Sequence, residues 1–233
     1  KLGFPFDVRA ERAASEVQFG HVFRPIAVNT SWDWARFETC AHRWTHVGEG
    51  SYGVAVSNSS SYGHDVTRAV RPDGGTTTTL RLSLLKGPRY PDPEADQGRH
   101  EFTVTVRPGA AIVDAVEEGY RTNLEPRFVR GGQPVAPIVS VDQPGVVVEA
   151  VKLAEDGSGD VVVRLYEALG ERTAVTVTPG FASSGAESVD LLERPFAPTD
   201  SAVGAAVRDA GGGAAQLTLR PFQLVTLRLR RDF

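Results

Sequence analysis

Alternation of apolar and polar positions dominates this chain. Leu80, Leu82 and Leu84 alternate with Arg81 and Ser83, and Phe102, Val104 and Val106 alternate with Thr103, Thr105 and Arg107. A period of two predicts strands with one buried and one wet face. Glu16 to Val22, Tyr52 to Ser57 and Thr79 to Leu85 read as further strands. Pro72-Asp73-Gly74-Gly75 is a turn signal, since proline presets φ and glycine accepts positive φ. One stretch has a different period. Ile112, Val116, Tyr120 and Leu124 recur every four residues, with Glu117, Glu118 and Arg121 on the other side. That predicts an amphipathic helix over 110–124, preceded by Pro108-Gly109 and stopped by Pro126. Prolines and glycines crowd residues 126 to 145 and predict a connector. Beyond it Val147, Glu149, Val151 and Leu153 face oppositely to Val146, Val148, Ala150 and Lys152, and Glu155 to Gly159 makes a hairpin loop into Val161 to Glu167. With Val225, Leu227 and Leu229 alternating near the end, this half predicts a β-sandwich.

The loop between the first two runs, Gly87 to Gly98, exceeds what a hairpin needs. Pro88, Pro91 and Pro93 stiffen it, and Arg89 and Tyr90 sit among Asp92, Glu94 and Asp96. Long loops are disproportionately functional, so it is a candidate site, weighed against a solvated loop that only braces the fold.

Composition narrows the classes. Of 233 residues, 41% are hydrophobic and 23% charged, enough for a sizeable core. A net charge of −4 argues against a nucleic-acid partner. No apolar run approaches the twenty residues of a membrane span, and there is no leader-like start. The single cysteine, Cys40, favours a reducing, cytoplasmic setting. Lys1 to Val8 reads as the middle of a strand and predicts a piece of a longer chain.

Three local patterns fail their context. Gly48-Glu49-Gly50-Ser51-Tyr52-Gly53-Val54 matches a phosphate-binding glycine loop, but Val54 to Ser57 continues as a strand where a dinucleotide fold opens a helix. A kinase's catalytic motifs do not follow. His42 and His46 have metal-ligand spacing only on a helix, which Arg43-Trp44-Thr45 does not favour. Carboxylates near aromatics, with Tyr62, Asp65, Trp32 and Trp34 among them, fit sugar binding, yet spacing selects no acid and nucleophile pair.

Four stretches in register carry a resemblance. Asn29-Thr30-Ser31-Trp32-Asp33 with Ala35-Arg36-Phe37-Glu38, then Tyr52 to Val56, Tyr62 to Val66, and Arg81 to Phe102, resemble the C-terminal β-rich half of α-mannosidases of glycoside hydrolase family 38, in the bacterial and cytosolic or vacuolar branch. Val163 to Ala168, Leu191 to Pro195 and Leu219 to Phe222 agree. The resemblance implies a mainly β fold: part of a large, galactose-mutarotase-like super-sandwich with one amphipathic helix over 1–140, then a small β-sandwich over 146–233. It implies no catalytic residue and no metal in this chain. The nucleophile, the acid/base and a divalent metal, usually zinc, belong to a missing N-terminal catalytic domain, which becomes the principal partner. The parent reaction is retaining hydrolysis of terminal α-D-mannosides. Arg89, Tyr90, Asp92 and Asp96, with Tyr62 and Asp65 behind them, are the candidates for lining that substrate cleft. The alternative is a free-standing carbohydrate-binding or structural module. A truncated sandwich exposes strand edges, so self-association is also expected.

Overall fold

The computed structural model describes residues 1–196 and 204–232. The chain forms two units, residues 1–127 and 128–233, each an antiparallel two-sheet structure. The mainly β class expected from the alternation is what is found.

In the first unit, one sheet has the order β1 (Leu2–Phe6), β8 (Thr76–Leu82), β7 (Gly63–Val70), β4 (Thr39–Cys40). The other has the order β3 (Gly20–Pro25), β2 (Arg12–Val17), β5 (Trp44–Glu49), β6 (Tyr52–Asn58), β9 (Val104–Pro108). The alternation decides which side chains meet. Phe4 and Val66 flank Leu80 in register, and this row packs on Val56 and Val104 of the facing sheet. A neighbouring cluster joins Val8, Ala10, Ala13, Ile26, Val47 and Val54, closed by Phe6 and Val66. Burying such side chains contributes about 1.5–3 kcal/mol each.

The outer face of the five-stranded sheet carries α2 (Ile112–Asn123). Its buried residues are Ala115, Val116 and Gly119. Gly119 is small because a Cβ there would lie 2.7 Å from Cδ1 of the buried Trp44. Gly53 is held the same way, since a Cβ would lie 2.2 Å from His46 Nε2, which bonds the Ala110 carbonyl at 2.8 Å. At the other end of this face lies a buried ion pair. The Glu16 carboxylate, 3% exposed, accepts from Arg43 N (2.6 Å), Nε (2.9 Å) and Nη2 (2.5 Å). The guanidinium then stacks on Tyr120 of α2, 3.9 Å from the ring centroid. Asn58 N bonds the Arg43 carbonyl, and Asn123 Nδ2 bonds the Asn58 carbonyl. Strand ends and helix end are thereby tied together.

The second unit pairs β10 (Val139–Val141), β13 (Thr173–Pro179), β16 (Ala214–Leu219) and β15 (Arg208–Gly211) in one sheet. The other sheet has the order β11 (Val146–Leu153), β12 (Val161–Glu167), β17 (Leu224–Arg231), β14 (Ser183–Val189). Val161, Val163 and Leu165 meet Val175, Val177, Leu217 and Leu219 in its core. Glu167 closes one end. Its fully buried carboxylate accepts the amides of Leu169 (2.9 Å), Gly170 (2.8 Å), Glu171 (3.1 Å) and Phe222 (3.1 Å), binding two turns to β12.

Two local expectations are corrected. Glu16 to Val22 is a hairpin rather than one strand: the chain reverses at Gln18-Phe19, with Phe19 at φ 56°, and Val17 pairs with Gly20. Ala13 to Glu16 are all buried, so no break in an alternating pattern marks the reversal. The long loop, longer than a hairpin needs, crosses from β8 in one sheet to β9 in the other. The helix face is rotated, with Leu124 exposed beyond the last turn and Ala115 and Gly119 inside. The glycine-rich stretch at 48–54 is the β5–β6 hairpin, Glu49 opposite Tyr52.

Arg43→Ala leaves the Glu16 carboxylate buried without its partner, which costs roughly 3–5 kcal/mol. Denaturant unfolding should read that loss, and the Glu16→Gln/Arg43→Met pair should recover most of it. A loss under about 1 kcal/mol would show that the pair does not organise the sheet.

Candidate functional site

The long loop is held by its own carboxylates. Asp96, at φ 65°, accepts the amides of Lys86 and Gly87 at 2.9 Å each, which keeps its carboxyl below the usual range. Asp92 Oδ1 accepts the Glu94 amide at 2.9 Å, and the Asp96 carbonyl meets His100 Nε2 at 2.9 Å. Asp92 and Asp96 therefore shape the loop, while Arg89 and Tyr90 project from it, Tyr90 being 87% exposed. Tyr62 is also exposed, edge-on to His42 at 5.5 Å. Asp65 is different: it is buried between Lys1 Nζ and Arg81 Nε, each at 2.7 Å.

Of these candidates only Asp65 lines the cavity of about 510 Å³ in the first unit. Sheet edges explain where the cavity lies. β4 covers β7 only at Gly63 and His64, so from Asp65 onward the side of β7 away from β8 has no strand beside it among the described residues, and β3 ends the opposite sheet. Between these edges stand Phe23, Arg24, Val28, Trp34, Arg36, Phe37, with His64 and Ser15 deeper. Trp34 and Phe37 are held out by the short α1 (Ser31–Ala35) and its exit. Thr30 Oγ1 accepts the Asp33 amide (3.2 Å), Asp33 Oδ2 accepts the Thr30 amide (3.0 Å), and Arg36 Nη2 binds Asp33 Oδ1 (2.9 Å). The signal was in the sequence: Thr30-Ser31-Trp32-Asp33 is a capping box, which alternation alone does not reveal.

Ser15 Oγ lies 3.1 Å from His64 Nε2, the spacing of a nucleophile and its base. Thr39 Oγ1 competes for the same nitrogen at 3.1 Å, and Ser15 is fully buried, so no substrate carbon reaches it. The group is a packed polar network. Burial pushes His64 down to about 4, with Arg24 acting in the same direction and the Tyr62 backbone opposing. His46 is likewise lowered, mainly by burial. Among the described residues no group of three or more His, Cys, Asp or Glu side chains could hold a metal ion.

Residues 1–94 match the glycosyl hydrolases family 38 C-terminal domain, and residues 145–227 match the family's C-terminal beta sandwich domain. The chain belongs to glycosyl hydrolase family 38. It carries the C-terminal region of that family, and the cavity lies wholly within the first matched stretch. Among family 38 relatives, Alpha-mannosidase 2C1 of Homo sapiens is 39% identical over 98% of this chain, and Alpha-mannosidase of Saccharomyces cerevisiae is 31% identical over 98%. The chain spans 21% of the first and 22% of the second, about a fifth of these relatives' length. The fold is shared with an alpha-mannosidase from Enterococcus faecalis V583, TM-score 0.62 at 19% identity, covering 97% of this chain and 25% of that one. No helix among the described residues is long and apolar enough to cross a membrane.

The lowered histidines set a pH dependence. The unfolded chain protonates His64 near its ordinary value of 6.5, the folded chain only at about 4. Below 6.5 the unfolded state binds more protons, so this stability is complete above 6.5 and is lost as pH falls towards 4. The melting temperature should therefore drop across that window, and His64→Gln should flatten the drop, leaving the part due to His46. An unchanged slope in the variant would show that His64 is solvated.

Proposed function

We propose that this chain is the non-catalytic C-terminal region of an α-mannosidase that hydrolyses terminal α-D-mannosides with retention. The observation carrying this reading is that 98% of the chain aligns within relatives named alpha-mannosidase while spanning about a fifth of them. Its role is to support the catalytic domain. In this reading the divalent metal and the two catalytic carboxyl groups of retaining chemistry belong to that domain. The exposed lone Cys40 fits a cytoplasmic parent.

Within this reading the 87–98 loop lines the substrate cleft. Arg89 and Tyr90 reach outward to sugar hydroxyls and the ring face, while Asp92 and Asp96 hold the turn that aims them. Tyr62 and Asp65 stand behind. Asp65 acts through its ion pairs with Lys1 and Arg81 rather than by direct contact.

In the full parent, Arg89→Ala should lower kcat/KM for an α-mannoside by roughly tenfold, about 1.4 kcal/mol of transition-state binding. Asp96→Ala should lower it as well, by freeing the loop. Unchanged kcat/KM in both variants would remove the loop from the cleft. The 233-residue chain by itself should leave p-nitrophenyl α-D-mannoside intact. Mannoside binding by that chain alone would favour a free-standing carbohydrate-binding module.

A further inference from the structure

The open side of the first sandwich has three features that no contact within the described residues uses. Trp32, Trp34 and Phe37 are 80%, 77% and 76% exposed, yet α1 and its capping box hold them in fixed positions. Large aromatics ordered outside a core mark a surface that meets something apolar. The charges around them are nearly all paired, Arg36 with Asp33 and Arg81 with Asp65. Arg24 is the exception: its guanidinium makes no ion pair among the described residues, and its Nη1 is buried without a hydrogen-bond partner. Finally, among the described residues the side of β7 away from β8 beyond His64, and the side of β3 away from β2, have no strand beside them.

We propose that this cavity seats a segment of the parent polypeptide lying outside these 233 residues, bringing an apolar side chain against Trp34 and Phe37 and a carboxylate to Arg24. The inference rests on the parent reading given above. The family 38 relatives supply the length of chain required, four-fifths of each lying beyond the part matched here. Charge supplies the rest. A guanidinium nitrogen buried without a partner is costly, and a carboxylate converts that cost into a charge-assisted pair. A sugar fits less well, since the carboxylates at the cavity are already committed to Arg36, Arg81 and Lys1. A second copy of this chain would have to bring a free carboxylate into the same cavity.

The test places a photo-crosslinking benzoylphenylalanine at position 34 of the full parent. Irradiation should join it, within one polypeptide, to a peptide from outside this region that contains Asp or Glu. Crosslinks between two copies, or none at all, would overturn the proposal. So would protection of the crosslink by free mannose, which would make the cavity a sugar site. Arg24→Glu supplies a second reading. It should lower the melting temperature of the parent and leave that of the 233-residue chain unchanged; equal shifts in both would contradict a docked carboxylate. Hydrolysis of an α-mannoside by the same parent, measured alongside, separates the two ideas. Activity without the crosslink defeats only the docking, and the crosslink without activity defeats only the mannosidase reading.

Discussion

A carboxylate that is 3% exposed, Glu16, is tolerable only because Arg43 meets it with three donors. Much of the first unit is arranged around that requirement. Arg43 precedes β5, so satisfying Glu16 sets β5 beside β2, and its guanidinium lies on Tyr120 and so fixes the end of α2. The Asn58 and Asn123 bonds continue the same clamp to β6 and the helix terminus. With that face closed by a helix, the opposite face of the five-stranded sheet is left for the hydrophobic core. The second unit uses one carboxylate in a comparable way, the buried Glu167 being satisfied by four backbone amides from two turns.

The clamp closes one side of the sandwich, and the other side is open. Because β4 is only two residues long, the edge of β7 away from β8 is covered at its first two positions and is open beyond them among the described residues. The cavity, the ordered aromatics and Arg24, which makes no ion pair among the described residues, lie between that edge and β3. The chemistry inside is inert: a fully buried serine, a histidine kept neutral by burial, and ion pairs already formed. Such a surface suits assembly better than catalysis. The 87–98 loop is separate from it, crossing between sheets and presenting Arg89 and Tyr90 outward.

Strands were legible in the sequence where one face is buried and the other wet, as at Leu80 and Leu82 or Val225, Leu227 and Leu229. The hairpin at Gln18-Phe19 was not, because its turn lacks the glycine or asparagine that normally announces positive φ. The helix was found by its period, but its buried face was misjudged: Gly119 is inside because Trp44 needs the space, a tertiary reason absent from helical spacing. The site was legible in part. The loop stood out by length, whereas Asp96 serving as a cap rather than a ligand required coordinates. Arg24 was invisible in the sequence, since its distinction is an Nη1 with no hydrogen-bond partner among the described residues.

Membership of family 38 and a span of about a fifth of the relatives' length support the proposed reading, a supporting region whose catalytic machinery is carried elsewhere in the same polypeptide. The most direct test is the size and peptide map of the native polypeptide that contains these residues. It should be about five times as long as the 233 residues here, in keeping with the 21% of the human relative that they span, and yield peptides of a catalytic domain. A native polypeptide that maps to these residues alone would contradict that reading.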